Sequence, residues 1–236
     1  MLNGIRIGLA AALAVLLVSP VFGQLNLKVG YMGAATPAPV VNKIIGDFNT
    51  RVVGTFAGSR LDDQLQDFNY SNGMEIGLRY RMGHVGLEAG WSYLSDKSDV
   101  LLSKADGSLF QDKWFLSLTE YSLGVENYFG YFGYGASIGY RTARLKTDIP
   151  GSSKKKRTVV TESAPASKLY LIFQFPGDKV GIAFKPFVQV PLKKYDVSGF
   201  DQEINGQIDP SWVAPKPQNE KFLIYGISIL LYNGKQ

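Results

Sequence analysis

Residues 73–93 (GMEIGLRYRMGHVGLEAGWSY) constrain the fold most, because polarity alternates along both sides of one tight turn, Met82-Gly83-His84. On the first strand Met74, Ile76, Leu78 and Tyr80 share a face, and Glu75, Gly77, Arg79 and Arg81 share the other. On the second, Val85, Leu87, Ala89, Trp91 and Tyr93 alternate with Gly86, Glu88, Gly90 and Ser92. Side chains of a strand point alternately to its two faces, so the hairpin has one apolar face and one of charges and glycines. A soluble sandwich would bury the apolar face. A small membrane barrel would turn that face to lipid and crowd the charges into its lumen. The hairpin alone leaves both open.

The start of the chain narrows the choice. Arg6 precedes an unbroken small and apolar run over 7–18, and Ser19-Pro20-Val21-Phe22-Gly23 ends it with a breaker and a small residue. This pattern predicts a signal peptide over 1–23, cleaved near Gly23, ahead of a single domain over 24–236. The run is short for a spanning helix, which needs about 20 apolar residues, and no later stretch reaches that length. Insertion of the mature chain in a membrane would therefore be by strands. Cysteine is absent, which excludes disulfides, thiol catalysis and thiolate metal sites. The net charge of +5 comes without an RNA-binding or Arg-rich signature, so no nucleic-acid partner is expected.

Along the mature chain the alternating pattern recurs. Leu25, Leu27, Val29 and Tyr31 open the first strand, with Lys28 on its other face. Pro37 and Pro39 end it, and Val40, Val41, Ile44, Ile45 and Phe48 then fall at helical spacing, predicting a short helix in the first long connection. Residues 51–57 read as a possible brief strand. Further strands are predicted at about 113–129, 131–141, 168–175, 180–190 and 221–232. Trp114, Leu116 and Leu118 are out of phase with Phe115, Tyr121, Leu123 and Val125. Either a bulge shifts the register there, or the outer part of that strand has left the apolar surroundings.

The strands number eight, and the connections between them alternate in length. Short turns lie at 82–84, 129–131 and 176–178, and long polar connections at 35–72, 96–111, 146–166 and 192–219. Short turns on one side and long loops on the other are the pattern of an outer-membrane barrel, and a sandwich has no reason to follow it. Aromatic residues near strand ends (Tyr31, Tyr80, Trp91, Tyr93, Tyr121, Phe129, Tyr140, Phe175 and Tyr232) suit the girdles at the two membrane surfaces.

Glu75, Arg79, Arg81, Glu88, Glu120, Glu126 and Arg141, joined by Lys28 and Lys185, fall on the inward faces of such a barrel. An eight-stranded lumen is just wide enough for side chains to fill, and unpaired charge there is costly, so a salt-bridge network closing the lumen is expected. The sharper alternative is a gate whose pairs exchange to admit ions. Catalysis has little support: the lone histidine, His84, falls in a short turn. Asp62, Asp63 and Asp67 match no cation loop, so neither metal nor cofactor is expected. Lys154, Lys155, Lys156 and Arg157 form a basic run in the third long connection, either solvated or in contact with an external anion.

The segments NGMEIGLRYR, VGLEAGWSYL, YSLGVENYFG and FGYGASIGYR have a glycine-spaced, aromatic-ended form. Together with the leader and the loop asymmetry they resemble the outer-membrane barrel family typified by the transmembrane domain of OmpA and its porin-like relatives. The resemblance implies an all-β, eight-stranded, antiparallel up-and-down transmembrane barrel. It implies a structural, adhesive or small-pore role without enzymatic activity. Its partners would be outer-membrane lipid and lipopolysaccharide, the barrel assembly machinery, and an external ligand that the sequence does not identify. The chain departs from full OmpA in having no peptidoglycan-binding domain. It also ends Tyr232-Asn233-Gly234-Lys235-Gln236 rather than on an aromatic residue, which makes its assembly signal atypical. A soluble, lipocalin-like barrel with an apolar interior is the rival of another class.

Overall fold

The computed structural model describes residues 24–56, 58–149 and 152–233, and the backbone alone of 149 and 152–155. The leader over 1–23 lies outside the described residues. The first elements in chain order are β1 (Gln24–Ala35), α1 (Pro39–Thr55), β2 (Arg60–Asp63), β3 (Tyr70–Met82), β4 (Val85–Ser103) and β5 (Leu109–Phe129). After them come β6 (Phe132–Ile149), β7 (Ser152–Phe175), β8 (Val180–Pro191), β9 (Tyr195–Asp196), α2 (Ser198–Gly206), β10 (Asn219–Glu220) and β11 (Ile224–Asn233). The eight long strands pair antiparallel with their chain neighbours in the order β1-β3-β4-β5-β6-β7-β8-β11. Pairing of β1 with β11, from Lys28↔Tyr232 to Ala35↔Tyr225, closes the ring. A closed ring leaves no edge strand open to another chain.

One end of the barrel, called the base here, carries only tight turns. Gly83 and Gly130 take the left-handed conformation (φ 58° and 61°) that lets β3 turn into β4 and β5 into β6 in two residues. Gln24 and Asn233 lie at this end too, opposite Arg81 and Val180. The other end carries both helices and the three short strands.

Two of the four connections expected to be long are instead strand. β4 runs on to Ser103 and meets β5 at Leu109, and β6 runs to Ile149 with β7 starting at Ser152. The polar stretches at 96–111 and 146–166 are thus the outer halves of two extended hairpins. The brief strand expected at 51–57 is likewise the last turn of α1. The connections at 36–69 and 192–223 are long; the first folds into α1 and β2, the second into β9, α2 and β10.

The out-of-phase residues of β5 have a plain cause. Pairing with β4 runs without a shift from Val85↔Asn127 to Ser103↔Leu109, so no bulge intervenes. Near the base Tyr121, Leu123 and Val125 point outward, while Glu120, Glu126 and Tyr128 point in. Farther out the same inward row holds Trp114 and Leu116, fully buried, and the outward row holds Gln111, Lys113, Ser117 and Thr119. Polarity reverses along one unbroken strand. The same reversal crosses β6, where Ile138 and Tyr140 point out beside Arg141, and Ala143 and Leu145 point in beyond it.

The outer chamber so formed is filled by the two long connections. Pro39 starts α1, where its fixed φ and missing N–H cost nothing. Val41, Ile44, Ile45, Phe48 and Val52 then form the stripe that faces the chamber core. From the other connection Phe200, Ile204 and Phe222 join the same core. The Trp114 ring meets Phe200 edge-on, with centroids 4.8 Å apart.

Candidate functional site: a charged lumen under an apolar cap

Below the cap the inward positions of eight strands converge, and the side chains there are long and ionic. Glu75 on β3 accepts from Lys28 on β1 at 2.8 Å and from Lys185 on β8 at 2.5 Å, and its second oxygen accepts from Ser228 on β11 at 3.1 Å. Glu88 on β4 takes the same two ammonium groups, Lys185 at 3.4 Å and Lys28 closer still. Two carboxylates and two lysines therefore form a closed four-membered cluster that spans the lumen from β1 to β8. All four are buried.

A second pair lies nearer the cap. The Arg141 guanidinium donates to Glu120 at 3.2 Å and to the Phe222 carbonyl at 3.0 Å, which ties the lumen to the outer connection. Gln189 also donates to Glu120. Toward the base Arg79 bonds to neutral partners: Asn26 at 3.0 Å and the Tyr128 hydroxyl at 2.8 Å. Tyr128 in turn donates to Glu126, so Arg79 and Glu126 are linked through a phenol rather than face to face. Arg81 is only half-buried. It donates to the Gly83 carbonyl at 2.9 Å and lies 4.4 Å above the Tyr128 ring at the basal mouth.

Of the nine charges expected inward, the structure brings Lys28, Glu75, Glu88 and Lys185 into one cluster and Glu120 with Arg141 into another. Arg79, Arg81 and Glu126 stand around Tyr128 instead. Besides Tyr128, three further residues that the sequence reading did not place in the lumen complete the filling. Lys168 on β7 is buried with its ammonium 5.2 Å from the Phe187 ring, and the Tyr170 ring faces Lys185 at 4.6 Å. Tyr232, read from sequence as a girdle residue, is turned inward, where its ring lies 4.8 Å from the Arg79 guanidinium. The signal was its parity, since Tyr232 is out of step with Tyr225, Ile227, Ile229 and Leu231 on β11.

The tyrosine rings need room, and glycines supply it. A Cβ at Gly135 would stand 2.5 Å from the Tyr170 ring, and one at Gly181 would stand 2.4 Å from the Tyr232 ring. Large rings thus lie over bare backbone and take up lumen space that side chains at these positions would have filled.

The outward surface is the converse. Leu25, Leu27, Val29, Ile76, Leu78, Leu87, Leu123, Ile138, Leu171, Ile182 and Ile229 are all exposed. Trp91, Tyr121 and Tyr140 are direct cross-strand neighbours at the outer limit of this apolar coat. At the basal limit Phe129 meets Tyr134, Phe132 meets Phe173, and Phe175 meets Phe184, with ring centroids 5.5–6.1 Å apart.

The remaining candidates lie apart from the lumen. Nδ1 of His84 is 3.0 Å from the Tyr128 carbonyl oxygen in the basal turn. Asp62 is engaged by Arg60 at 3.0 Å and by Ser103. No cluster of three or more metal-ligating side chains occurs among the described residues. The basic run divides within β7: Lys156 rests on the outward Phe115 ring at 3.4 Å, and Arg157 pairs with Glu203 of α2. The side chains of Lys154 and Lys155 lie outside the described residues.

No protein-family model and no curated protein matches the sequence. Among solved structures the chain is similar to Ail, the attachment invasion locus protein of Yersinia pestis, solved with the heparin analogue sucrose octasulfate (10% identity, TM-score 0.48, 90% of this chain and 99% of that one). It is also similar to Neisserial surface protein A (6%, 0.43, 89% and 97%) and to the outer membrane protease OmpT of Escherichia coli (11%, 0.40, 92% and 98%). Likenesses of this size say nothing of activity or partners, and the architecture stands on its own strand register. The chain is a closed, eight-stranded, antiparallel β-barrel with an apolar coat, a charged lumen and an apolar cap.

Proposed function

We propose that this chain is an integral outer-membrane barrel with a structural or surface-contact role and a sealed lumen. The observation that carries the reading is the reversal of polarity along single unbroken strands. A soluble barrel would keep its apolar row inside from end to end. Here the outward row is apolar over about nine residues, the length of a transmembrane strand, and turns polar beyond the outer tyrosines. The inward row does the opposite. Only a surrounding that changes from lipid to water along the strand axis stabilises both halves.

In this reading residues 1–23 are the export signal, the basal turns face the periplasm, and the helical cap faces outward. The narrower kinship to OmpA and its porin-like relatives rests on the glycine-spaced strand segments and belongs to the same proposal. Paired charges and tyrosine rings fill the lumen, which favours a closed barrel over a passive pore. The role is non-enzymatic, with the cap as the surface that meets an external partner. Membrane fractionation with heat-modifiable gel mobility tests this. The protein should need detergent for extraction and should migrate faster unboiled than boiled, whereas recovery in the soluble periplasmic fraction would overturn it.

A further inference from the structure

The buried charges of the lumen do not balance. Lys28 and Lys185 share Glu75 and Glu88, Arg141 pairs with Glu120, and Arg79 reaches Glu126 through the Tyr128 hydroxyl. These account for every buried carboxylate below the cap. Lys168 is left over, 3% exposed, a fifth buried cation beside four carboxylates. Glu75, Glu120 and Glu88 face it from β3, β5 and β4. Among the described residues, however, no carboxylate lies within salt-bridge distance of its ammonium. A buried positive charge is costly without a counter-ion.

Hydrogen-bond donors without partners gather on the same side of the lumen. Ser137 on β6 is the cross-strand neighbour of Lys168. Gly124 on β5 is the other neighbour of Ser137, and Ser122 stands one inward position beyond it. Among the described residues neither serine hydroxyl bonds to another residue. The Tyr170 hydroxyl, from the inward position next to Lys168 on β7, is buried and also without a partner. It converges with Ser137 on one point: a Cβ at Gly124 would stand 2.9 Å from Ser137 Cβ and 3.1 Å from the Tyr170 oxygen. Space remains here too. A Cβ at Gly90, beside Ser122, would meet nothing nearer than 3.4 Å, whereas one at Gly77 would stand 2.6 Å from Lys28. Glu88 flanks that space toward the base, where Lys28 and Lys185 engage it.

The donor set says which anion fits. A surplus of one charge calls for a monovalent ion. One ammonium with three hydroxyls offers no planar fork for an oxyanion, such as a guanidinium gives. The two fully buried guanidinium groups are already engaged, Arg79 by Asn26 and Tyr128, Arg141 by Glu120 and the Phe222 carbonyl. We infer that the lumen contains a halide site, where chloride is held by Lys168, Ser137, Ser122 and the Tyr170 hydroxyl. Bound there, chloride neutralises the surplus charge and stabilises the folded barrel as any ligand of the native state does. The site needs the closed ring and not a lipid surrounding.

The test uses the full chain folded in detergent, with thermal unfolding followed by circular dichroism in sodium chloride or sodium gluconate at equal ionic strength. The wild-type midpoint should rise saturably with chloride over gluconate. Lys168→Met should abolish that dependence. Ser122→Ala/Ser137→Ala, which keeps every charge, should need roughly ten-fold more chloride for half of the rise, as expected for lost hydrogen bonds to a charged group. It decides the matter if Lys168→Met does not fold. A Lys193→Gln/Lys194→Gln variant, altered outside the barrel, should behave like wild type. Crystals grown in bromide should show an anomalous peak against the Lys168 Nζ. Equal wild-type midpoints in the two salts, an undiminished chloride dependence in the lumen variants, equal loss in the control, or bromide on the outer surface as an adventitious ion only would each overturn the inference. Indifference to chloride overturns this site alone, and recovery of the chain in the soluble fraction overturns the membrane reading alone.

Discussion

Glu75 holds two ammonium groups, one from the adjacent strand β1 and one from β8 across the lumen, at 2.8 Å and 2.5 Å. Removing it leaves Lys28 and Lys185 sharing Glu88 alone in a water-poor lumen. Breaking a buried ion cluster by deleting one partner costs about 3–5 kcal/mol. Glu75→Ala should therefore lower the free energy of urea unfolding in vesicles by that amount, with Glu75→Gln intermediate because its amide still bonds Ser228. In the cap, burial raises the carboxyls of Asp112 and Glu220 above their ordinary range. A raised pKa in the folded state means that the folded cap binds more protons than the unfolded chain. Cap stability should then fall as pH rises from the ordinary carboxylate range through the raised values, and mild acid should firm the cap. Melting followed by tryptophan emission should be higher near pH 5 than near pH 7, and the Asp112→Asn/Glu220→Gln variant should lose most of that difference.

At the scale of elements, β5 and β6 are each one piece of backbone with two opposite polarity patterns. Trp114 belongs to the cap and not to the barrel, so Trp114→Ala should cost the cap about 3–5 kcal/mol. Protease should then cut within 36–69 and 192–223 while heat-modifiable mobility persists. The strand halves under the apolar coat were legible in the sequence because apolar and polar residues alternate with the same sense throughout, as in 73–93. The outer halves of β4 to β7 were not, since their outward residues face water and the sense of alternation flips. A flip of sense inside a straight strand is indistinguishable, on paper, from a bulge or a loop. Trp114, Leu116 and Leu118 recorded the flip, and the choice between bulge and change of surroundings needed the register. Which lumen charges meet also could not be read, because Lys185 on β8 comes beside Lys28 and Glu75 on β1 and β3 only when the ring closes.

At the scale of the molecule, the barrel is narrow, filled and capped. Purified protein in a planar bilayer should show no steady conductance, and Arg79→Ala should show none either, because Tyr128, Tyr170 and Tyr232 still occupy the lumen. Steady channels from Arg79→Ala would instead support the gate. One contact bears on how such a molecule is completed. Glu220, in the connection that leads into the last strand, accepts from the backbone N–H groups of Val40 and Val41 at 2.7 Å and 3.1 Å and so caps the first turn of α1. Its partners were synthesised long before it, beside the first strand. The helix start therefore stays unlatched until β11 comes round to β1, and ordering of the cap is a clock hand for barrel closure. In an assembly time course Glu220→Ala should leave the onset of heat-modifiable mobility unchanged, while protection of α1, which follows that onset in wild type, should come late or stay incomplete.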